Sequence, residues 1–322
     1  MVEHLWLILL GFILLVKGAD YLVQGAAGIA KKFHLSEMII GLTIVAIGTS
    51  TPEIFITIKS SLEGRADLII GNAIGSCICN FLLVIGIAAV IRPLKIDARI
   101  SKVHIPIGIG AMFLLLVLGN TATVDGHYAV TRVQGILLLV CTAGYIIYTI
   151  IEEKMLIDKE GVQEKIETTS EIKERTMGRI ILYIALGVLG LKYGSDFVVD
   201  NAVAIAERFG IPEGIISMTV IACGTALPEI VTSIVASVKN ESDLILGNVS
   251  GSNILNLCLL IGLGAVINPL LFSQIFNASL VLLILITVIL LLISTANKDS
   301  LITRTQGILL MAIYGIYVFR LF

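Results

Sequence analysis

Gly41 to Leu94 reads GLTIVAIGTSTPEIFITIKSSLEGRADLIIGNAIGSCICNFLLVIGIAAVIRPL, and Ser217 to Leu270 reads SMTVIACGTALPEIVTSIVASVKNESDLILGNVSGSNILNLCLLIGLGAVINPL. The two stretches align without a gap at a constant offset of 176 residues. Roughly half of the aligned positions are identical, which marks an internal duplication. The match continues upstream through Asp20/Asp196, Ala26/Ala202, Phe33/Phe209 and Glu37/Glu213. Unrelated apolar segments would share Leu and Ile. These also share Glu53/Glu229, Asn72/Asn248 and Pro93/Pro269.

The 322 residues are 57% hydrophobic and only 14% charged, with a mean hydropathy of +1.00. A soluble domain carries about 25% charged residues. An ordinary core could not hide this much apolar surface, so lipid is the expected solvent. The composition excludes a disordered chain and a disulfide scaffold. A net charge of −2 offers no basic face to a nucleic acid. Cys77, Cys79, Cys141, Cys223 and Cys258 all lie in apolar runs, where cysteine serves as a small buried residue.

The expected fold class is an all-α membrane protein. Ten apolar segments, at approximately 4–32, 37–61, 67–91, 102–120, 130–151, 177–207, 213–238, 243–267, 275–296 and 303–321, are read as ten transmembrane helices. Most exceed the ~20 residues needed to cross the hydrocarbon. Barrel strands would alternate with period two, and no such alternation is present. The N-terminus has no basic region and its apolar run continues past residue 16, so no cleaved signal peptide is expected. The spans divide into a first repeat at 1–151, with its motif at 41–94, a linker at 152–176, and a second repeat at 177–322, with its motif at 217–270. Five spans per half is an odd number. The second half must therefore enter the membrane from the opposite side, giving two inverted five-helix repeats.

Lys and Arg fix the direction. With both termini outside, the inner loops hold Lys31, Lys32, Arg92, Lys95, Arg99, Lys102, the basic residues from Lys154 to Arg179, Lys239, Lys298 and Arg304. The outer side holds only Lys59, Arg65, Arg132, Arg208 and Arg320. The polar stretch from Glu152 to Arg179 is mixed in sign and reads as a solvated cytoplasmic linker.

Within span two, Ala46-Ile47-Gly48-Thr49-Ser50-Thr51-Pro52-Glu53 interrupts an apolar helix. Pro52 has no amide hydrogen and clashes with the carbonyl four residues earlier. Carbonyls from Ala46 to Thr49 are expected to be freed, which at membrane depth is tolerated only beside protein or a polar cavity. Ala222-Cys223-Gly224-Thr225-Ala226-Leu227-Pro228-Glu229 repeats the pattern. Glu53 and Glu229 each lie well inside a span, where an unpaired carboxylate costs ~2.5–3.5 kcal/mol even on a lenient scale. The motifs supply no Lys or Arg, so each carboxylate needs a cation or a proton.

Asn72, Ser76 and Asn80 recur as Asn248, Ser252 and Asn256, each trio along one helix face. Gly71/Gly75 and Gly247/Gly251 are small-residue pairs that let backbones approach. Asn72 and Asn248 either join helices by hydrogen bonds or belong to the site; Ser76, Asn80, Ser252 and Asn256 read as site residues. The assembled donors are carboxylate, amide, hydroxyl and carbonyl oxygens. That set suits Ca²⁺ or Na⁺ and disfavours zinc, copper and iron. Two carboxylates balance one Ca²⁺ or two monovalent ions, which is a physical basis for exchange. Lys17/Asp20 and Lys192/Asp196 are spaced for local ion pairs. His4, His34, His104 and His127 fall near span ends or in loops and read as surface or interfacial residues.

The paired segments GTSTPE…GNAIGSCICN and GTALPE…GNVSGSNILN resemble the α-repeats of the sodium/calcium exchanger family, within the cation/calcium antiporter superfamily. The resemblance covers essentially the whole chain. It implies exchange of about three Na⁺ for one Ca²⁺ by alternating access. It implies Glu53 and Glu229 as shared ligands, with oxygens of Thr49 and Thr225 completing a Ca²⁺ site. Ser76, Ser252 and the carbonyls of Ala46 and Ala222 would form flanking Na⁺ sites. Asn80 and Asn256 would line the centre, and the first and sixth spans would slide as gates. Ser50 joins the candidate ligands, although its mate is Ala226; Cys77 likewise has Asn253 as its mate, so the two half-sites are not equivalent. Some members carry an acidic residue where this chain has Asn256, which speaks against K⁺ co-transport. The short linker leaves no room for Ca²⁺-sensing domains, so a compact, prokaryote-like member is expected.

The reading is a secondary transporter in the plasma membrane and not an enzyme. Na⁺ and Ca²⁺ are its substrates, the bilayer is its partner, and neither a prosthetic group nor an obligate protein partner is called for. A Ca²⁺/H⁺ antiporter, or one for another divalent ion, is the alternative, because buried glutamates can carry protons instead of Na⁺. A channel would need a ring of carboxylates, and two do not make one. No Ser–His pair, aspartate dyad or HExxH appears in the spans for an intramembrane hydrolase.

Overall fold

The computed structural model describes residues 2–33, 35–124, 126–160, 176–209, 222–296 and 301–321. His34, Glu213, the first residues of the second motif (217–221) and most of the linker (161–175) lie outside the described residues, as does the side chain of Cys223. The described residues are overwhelmingly helical. Seven helices are long and apolar enough to cross a bilayer by length and composition, and a bent pair adds an eighth.

Helix α1 (Val2–Phe33) carries Glu3 in its first turn and Lys31 and Lys32 in its last, matching the helix dipole at both ends. The second helix is broken into α2a (Glu37–Thr49) and α2b (Thr51–Leu62), bent by 47°. It starts at an N-cap, where Ser36 Oγ accepts from Ile39 N. Then follow α3 (Ala66–Ile91), α4 (Ile100–Leu118) and α5 (Arg132–Glu160). The second half runs through α6 (Met177–Arg208), α7a (Ala222–Thr225), α7b (Leu227–Val238), α8 (Ser242–Ile267), α9 (Ile275–Ala296) and α10 (Arg304–Leu321). Helices α3 and α8 end two residues before Pro93 and Pro269, which cannot continue a helix.

The duplication is visible in the packing. Ser61 Oγ at the end of α2b donates to Gly264 O near the end of α8, and Ser237 Oγ at the end of α7b donates to Ala88 O near the end of α3. The end of α2b leads directly into the start of α3. That start therefore sits by the end of α8, and the two helices run antiparallel. The correspondence reaches the last helix of each half. Thr131 and Gln134 form a reciprocal N-terminal box on α5, and Thr303 and Gln306 form the same box on α10. Arg132 donates to Ile267 O and Arg304 to Ile91 O, tying each helix start to the end of the other half's long helix. Short antiparallel ladders seal these corners: Leu94–Lys95 pairs with Leu301–Ile302, and His127–Val130 pairs with Leu270–Leu271.

Helices α1 and α6 pack against each other along their length as an antiparallel pair. Glycines Gly11, Gly18 and Gly25 recur at a seven-residue spacing on α1. A Cβ on Gly11 would meet Gly194 O at 2.8 Å, and one on Gly18 would meet Leu191 N at 2.7 Å. The pair touches the remaining helices more lightly. One tie is Asp20 on α1 with Lys239 just past α7b, at 2.5 Å. The expected local pair of Asp20 with Lys17 is thus replaced by a tertiary partner, since folding brings a second ammonium closer. The Lys192–Asp196 pair forms as spaced, at 2.7 Å.

Two further expectations change. Helix α5 continues to Glu160 instead of ending at 151, and Glu153 is buried rather than solvated. Glu153 accepts from Arg99 at 2.8 Å and from Ser36 N at 2.5 Å, so it joins three chain segments. His104 is also buried, hydrogen bonded to the Tyr145 hydroxyl at 3.2 Å, with Glu152 3.8 Å away. Both residues sit at a helix end that the sequence reads as interfacial, and the neighbouring helices cover it. His4 hydrogen bonds to Asn201, and His127 is exposed, as expected of residues near ends and loops.

Candidate cation site

The break in the second helix is a single non-helical residue. Ser50 has φ −80° and ψ 8°, and Pro52 follows at the second position of α2b. The second half repeats the kink at Ala226 (φ −84°, ψ −1°), with Pro228 in the same place. Each glutamate therefore falls in the first turn of a new half-helix, where the unpaired amides favour a negative charge. Glu53 and Glu229 are 0% and 1% exposed. They lie close enough to repel each other, and none of the described ion pairs involves either.

The two halves interlock by crossed hydrogen bonds. Thr49 Oγ1 donates to Asn248 Oδ1 at 3.2 Å, and Thr225 Oγ1 donates to Asn72 Oδ1 at 3.2 Å. Asn72 and Asn248 thus join helices, each amide oxygen accepting from a threonine of the other half. Ser50 Oγ lies 3.4 Å from Glu229 Oε1 and 3.3 Å from Ser252 Oγ. Asn80 Nδ2 donates to Asn253 Oδ1 at 3.0 Å, and the Cys77 thiol to Asn253 O at 3.6 Å. Cys77 and Asn253 are mates in the repeat, so the two halves meet face to face there.

Around these bonds sits a cluster of buried polar atoms without hydrogen-bond partners among the described residues. It includes both oxygens of Glu53, Glu229 Oε2, Ser76 Oγ, Asn80 Oδ1, both amide atoms of Asn256, the hydroxyls of Thr232 and Ser233, and the amide nitrogens of Asn72, Asn248 and Asn253. Each such group costs about 1–3 kcal/mol if left alone. Gathered in one place, mostly as oxygens, they have the chemistry of a hard-cation cage. Among the described residues no three His, Cys, Asp or Glu side chains converge, so neutral oxygens must supply most of any coordination shell.

The carbonyls depart from expectation. Ala46 O is not free, because it accepts from Ser50 N at 3.0 Å and from Thr49 Oγ1 at 3.3 Å. The kink is confined to Ser50, so the turn before it keeps its bond. Ala222 opens the corresponding short turn of the second half. Gly224 O, which Pro228 cannot serve for want of an N–H, accepts from Ser195 Oγ of α6 at 2.7 Å. Sequence reasoning passed over Ser195, whose mate is Ala19. It named Asn253 only as the mate of Cys77, and it passed over the buried hydroxyls of Thr57, Thr232 and Ser233. Thr57 and Ser233 could have been found, since each follows its glutamate by four residues on the same helix face. Asn80 and Asn256 lie in π-helical turns, Asn80–Val84 and Leu255–Leu260, which often mark functional positions and which no periodicity announces.

The model of the family described as "Sodium/calcium exchanger protein" matches residues 3–151 and 179–322. The chain belongs to the sodium/calcium exchanger family. It is 35% identical to the putative antiporter CaxA of Alkalimonas amylolytica, over 98% of this chain and 97% of that one. It is 30% identical to the sodium/calcium exchanger MaX1 of Methanosarcina acetivorans, again over 98% and 97% of the two chains. Among solved structures, the sodium-calcium exchanger NCX_Mj superposes with a TM-score of 0.82 at 32% identity, covering 98% of each chain. Exchangers of this family are membrane transporters and not enzymes, and this chain is a compact member.

Proposed function

We propose that this exchanger is a secondary antiporter moving about three Na⁺ against one Ca²⁺ by alternating access. Ca²⁺ and Na⁺ are its transported substrates, taken in turn by Glu53 and Glu229. Thr49, Thr225, Ser50, Ser76, Ser252, Asn80 and Asn256 complete the coordination, with backbone oxygens near Ala46 and Ala222. Ten membrane-spanning helices form two inverted five-helix repeats, 1–151 and 177–322, joined by the cytoplasmic linker 152–176. Both termini lie outside the plasma membrane, following the distribution of Lys and Arg. Helices α1 and α6 move as a pair across the remaining helices.

One observation carries the reading: two fully buried carboxylates, on matching kinks of the two halves, lie close enough to repel each other, and three of their four oxygens have no hydrogen-bond partner among the described residues. Two negative charges are balanced by one divalent ion or by two monovalent ions, so one Ca²⁺ or two Na⁺ leave the buried site near neutral and a third Na⁺ adds one positive charge. The crossed threonine–asparagine bonds support a shared site rather than two separate ones.

The test is ⁴⁵Ca²⁺ flux into proteoliposomes with Na⁺, K⁺ and pH gradients imposed separately. An outward Na⁺ gradient is expected to drive Ca²⁺ uptake without K⁺. Uptake driven by a pH gradient alone, in the absence of Na⁺, identifies a proton exchanger instead. Glu53→Gln and Glu229→Gln each are expected to lower Ca²⁺ transport by roughly 100-fold, as loss of one ligand charge requires. Full flux in both variants removes the assigned site.

A further inference from the structure

Polar contacts that cross from the α1–α6 pair to the other helices include an ion pair, a hydrogen bond and a cation–π contact. Asp20 of α1 meets Lys239, just past α7b, at 2.5 Å. Ser195 of α6 donates to Gly224 O of α7a at 2.7 Å. The Lys192 ammonium of α6 stands 5.9 Å from the centre of the Phe55 ring on α2b. The duplication gives each of these residues a mate at the same offset of 176. Asp196 and Glu63 match Asp20 and Lys239, so an attraction is replaced by a repulsion. Ala19 and Gly48 match Ser195 and Gly224, and a methyl group cannot donate to a carbonyl. Val16 and Val231 match Lys192 and Phe55, with neither a cation nor a ring. In each case the mates cannot make the contact.

Resting on the antiport reading, we propose that Ser195 and Lys239 are positioning residues that set which face of the membrane the empty exchanger opens to. Two inverted repeats reach the opposite face by exchanging conformations, each half taking the shape the other had. Identical halves would make the two states equal in energy. A contact made in one state, with no equivalent in the other, tips the balance. The contacts of Ser195, Lys239 and Lys192 all belong to the observed arrangement. Lys239 lies at the inner face in the antiport reading, so its ion pair closes the inner side and leaves the site open to the outside. Ser195 is buried, and its bond is insulated from solvent. The Asp20–Lys239 pair is partly exposed, so salt weakens it. Neither residue is an ion ligand. Both act on transport through the balance of states. Half-saturation measured at one face is the intrinsic value divided by the fraction of molecules open to that face. A shifted balance therefore moves the two faces in opposite directions, which mere damage to the fold does not.

The experiment follows ⁴⁵Ca²⁺ transport by the full chain in right-side-out and in inverted membrane vesicles. Half-saturating Ca²⁺ is then read at the outer and the inner face separately, with thermal unfolding in detergent as a check on folding. Ser195→Ala is expected to lower half-saturating Ca²⁺ at the inner face about 2- to 5-fold and to raise it at the outer face. Lys239→Gln is expected to act in the same direction, less strongly, and only at low salt. Glu63→Lys offers Asp196 an ammonium in the opposite state and is expected to shift both faces as Ser195→Ala does. Glu63 is exposed, so this variant decides the matter if Ser195→Ala does not fold. Unchanged values at both faces, a rise at both, or shifts of the reverse sense overturn the proposal while leaving the antiport reading intact. Failure of that reading looks different: the unmodified protein then shows no Na⁺-driven Ca²⁺ uptake.

Discussion

At the scale of single residues, burial and charge decide what each polar group can be. Glu53 and Glu229 sit in half-helix first turns, but the favourable dipole there is worth at most about 2 kcal/mol. That does not offset the mutual repulsion of two buried carboxylates, which calls for a cation or a proton. Asn72 and Asn248 act one step removed, holding Thr225 and Thr49 from across the repeat. Replacing such a supporting partner typically costs 10–100-fold in metal affinity. Asn72→Ala and Asn248→Ala are each expected to weaken ⁴⁵Ca²⁺ binding about 10-fold, with an unfolding temperature close to that of the unmodified chain. The signal for this pair is present in the sequence as two matched asparagines. Their role is not, because the donor lies in the other half of the chain.

At the scale of elements, the kinked helices and the glycine contacts serve one purpose, which is to bring backbones close around the site. Helix α2a crosses α8 so tightly that a Cβ on Gly251 would meet Leu42 O, and a Cβ on Gly247 would meet Met38 O, each at 2.4 Å. Backbone atoms cannot yield as a side-chain tip can. Gly251→Ala is expected to destabilise the protein by about 1–3 kcal/mol and to separate Thr49 from Asn248, read out as a lower unfolding temperature together with weaker Ca²⁺ binding. The small-residue spacing announces this contact in the sequence. The proline likewise announces the kink, but not that Ala46 O stays bonded and that Ser195 of α6 caps Gly224 O. The first is settled by the kink falling at Ser50 alone, and the second by which helix lies alongside.

At the scale of the whole molecule, the antiparallel α1–α6 pair leans on a scaffold made of the remaining helices. Among the described residues, an ion pair from the middle of α1 and a hydroxyl from the middle of α6 help join the two. Asp20 reaches Lys239 beyond α7b. Beside it, the Glu241 carboxyl is pushed up to about 7, first by burial and then by the nearby Glu37, with Lys239 opposing the shift. A carboxylic acid raised in the folded state contributes most stability below its ordinary pKa of 4.5 and loses it as pH rises through about 7. Glu241→Gln is expected to be equal to the unmodified protein near pH 4 and more stable above pH 7, by up to about 3 kcal/mol. Thermal unfolding across that pH range checks it. A pH profile identical to that of the unmodified chain would falsify the assignment of Glu241.

The sequence by itself determined that the chain is helical and at home in lipid, that it is built twice, and that each copy carries a glutamate behind a proline kink. Those properties follow from composition, periodicity and internal repetition, which are local or self-referential. Tertiary structure alone decided who meets whom. It joined Thr49 to Asn248 and Thr225 to Asn72, moved Asp20 from Lys17 to Lys239, buried His104 and Glu153, and set Ser50 against Glu229. Each of these contacts spans tens to hundreds of residues. A side chain's position along its own helix fixes the direction it points, but only the packing of two helices fixes what it finds there.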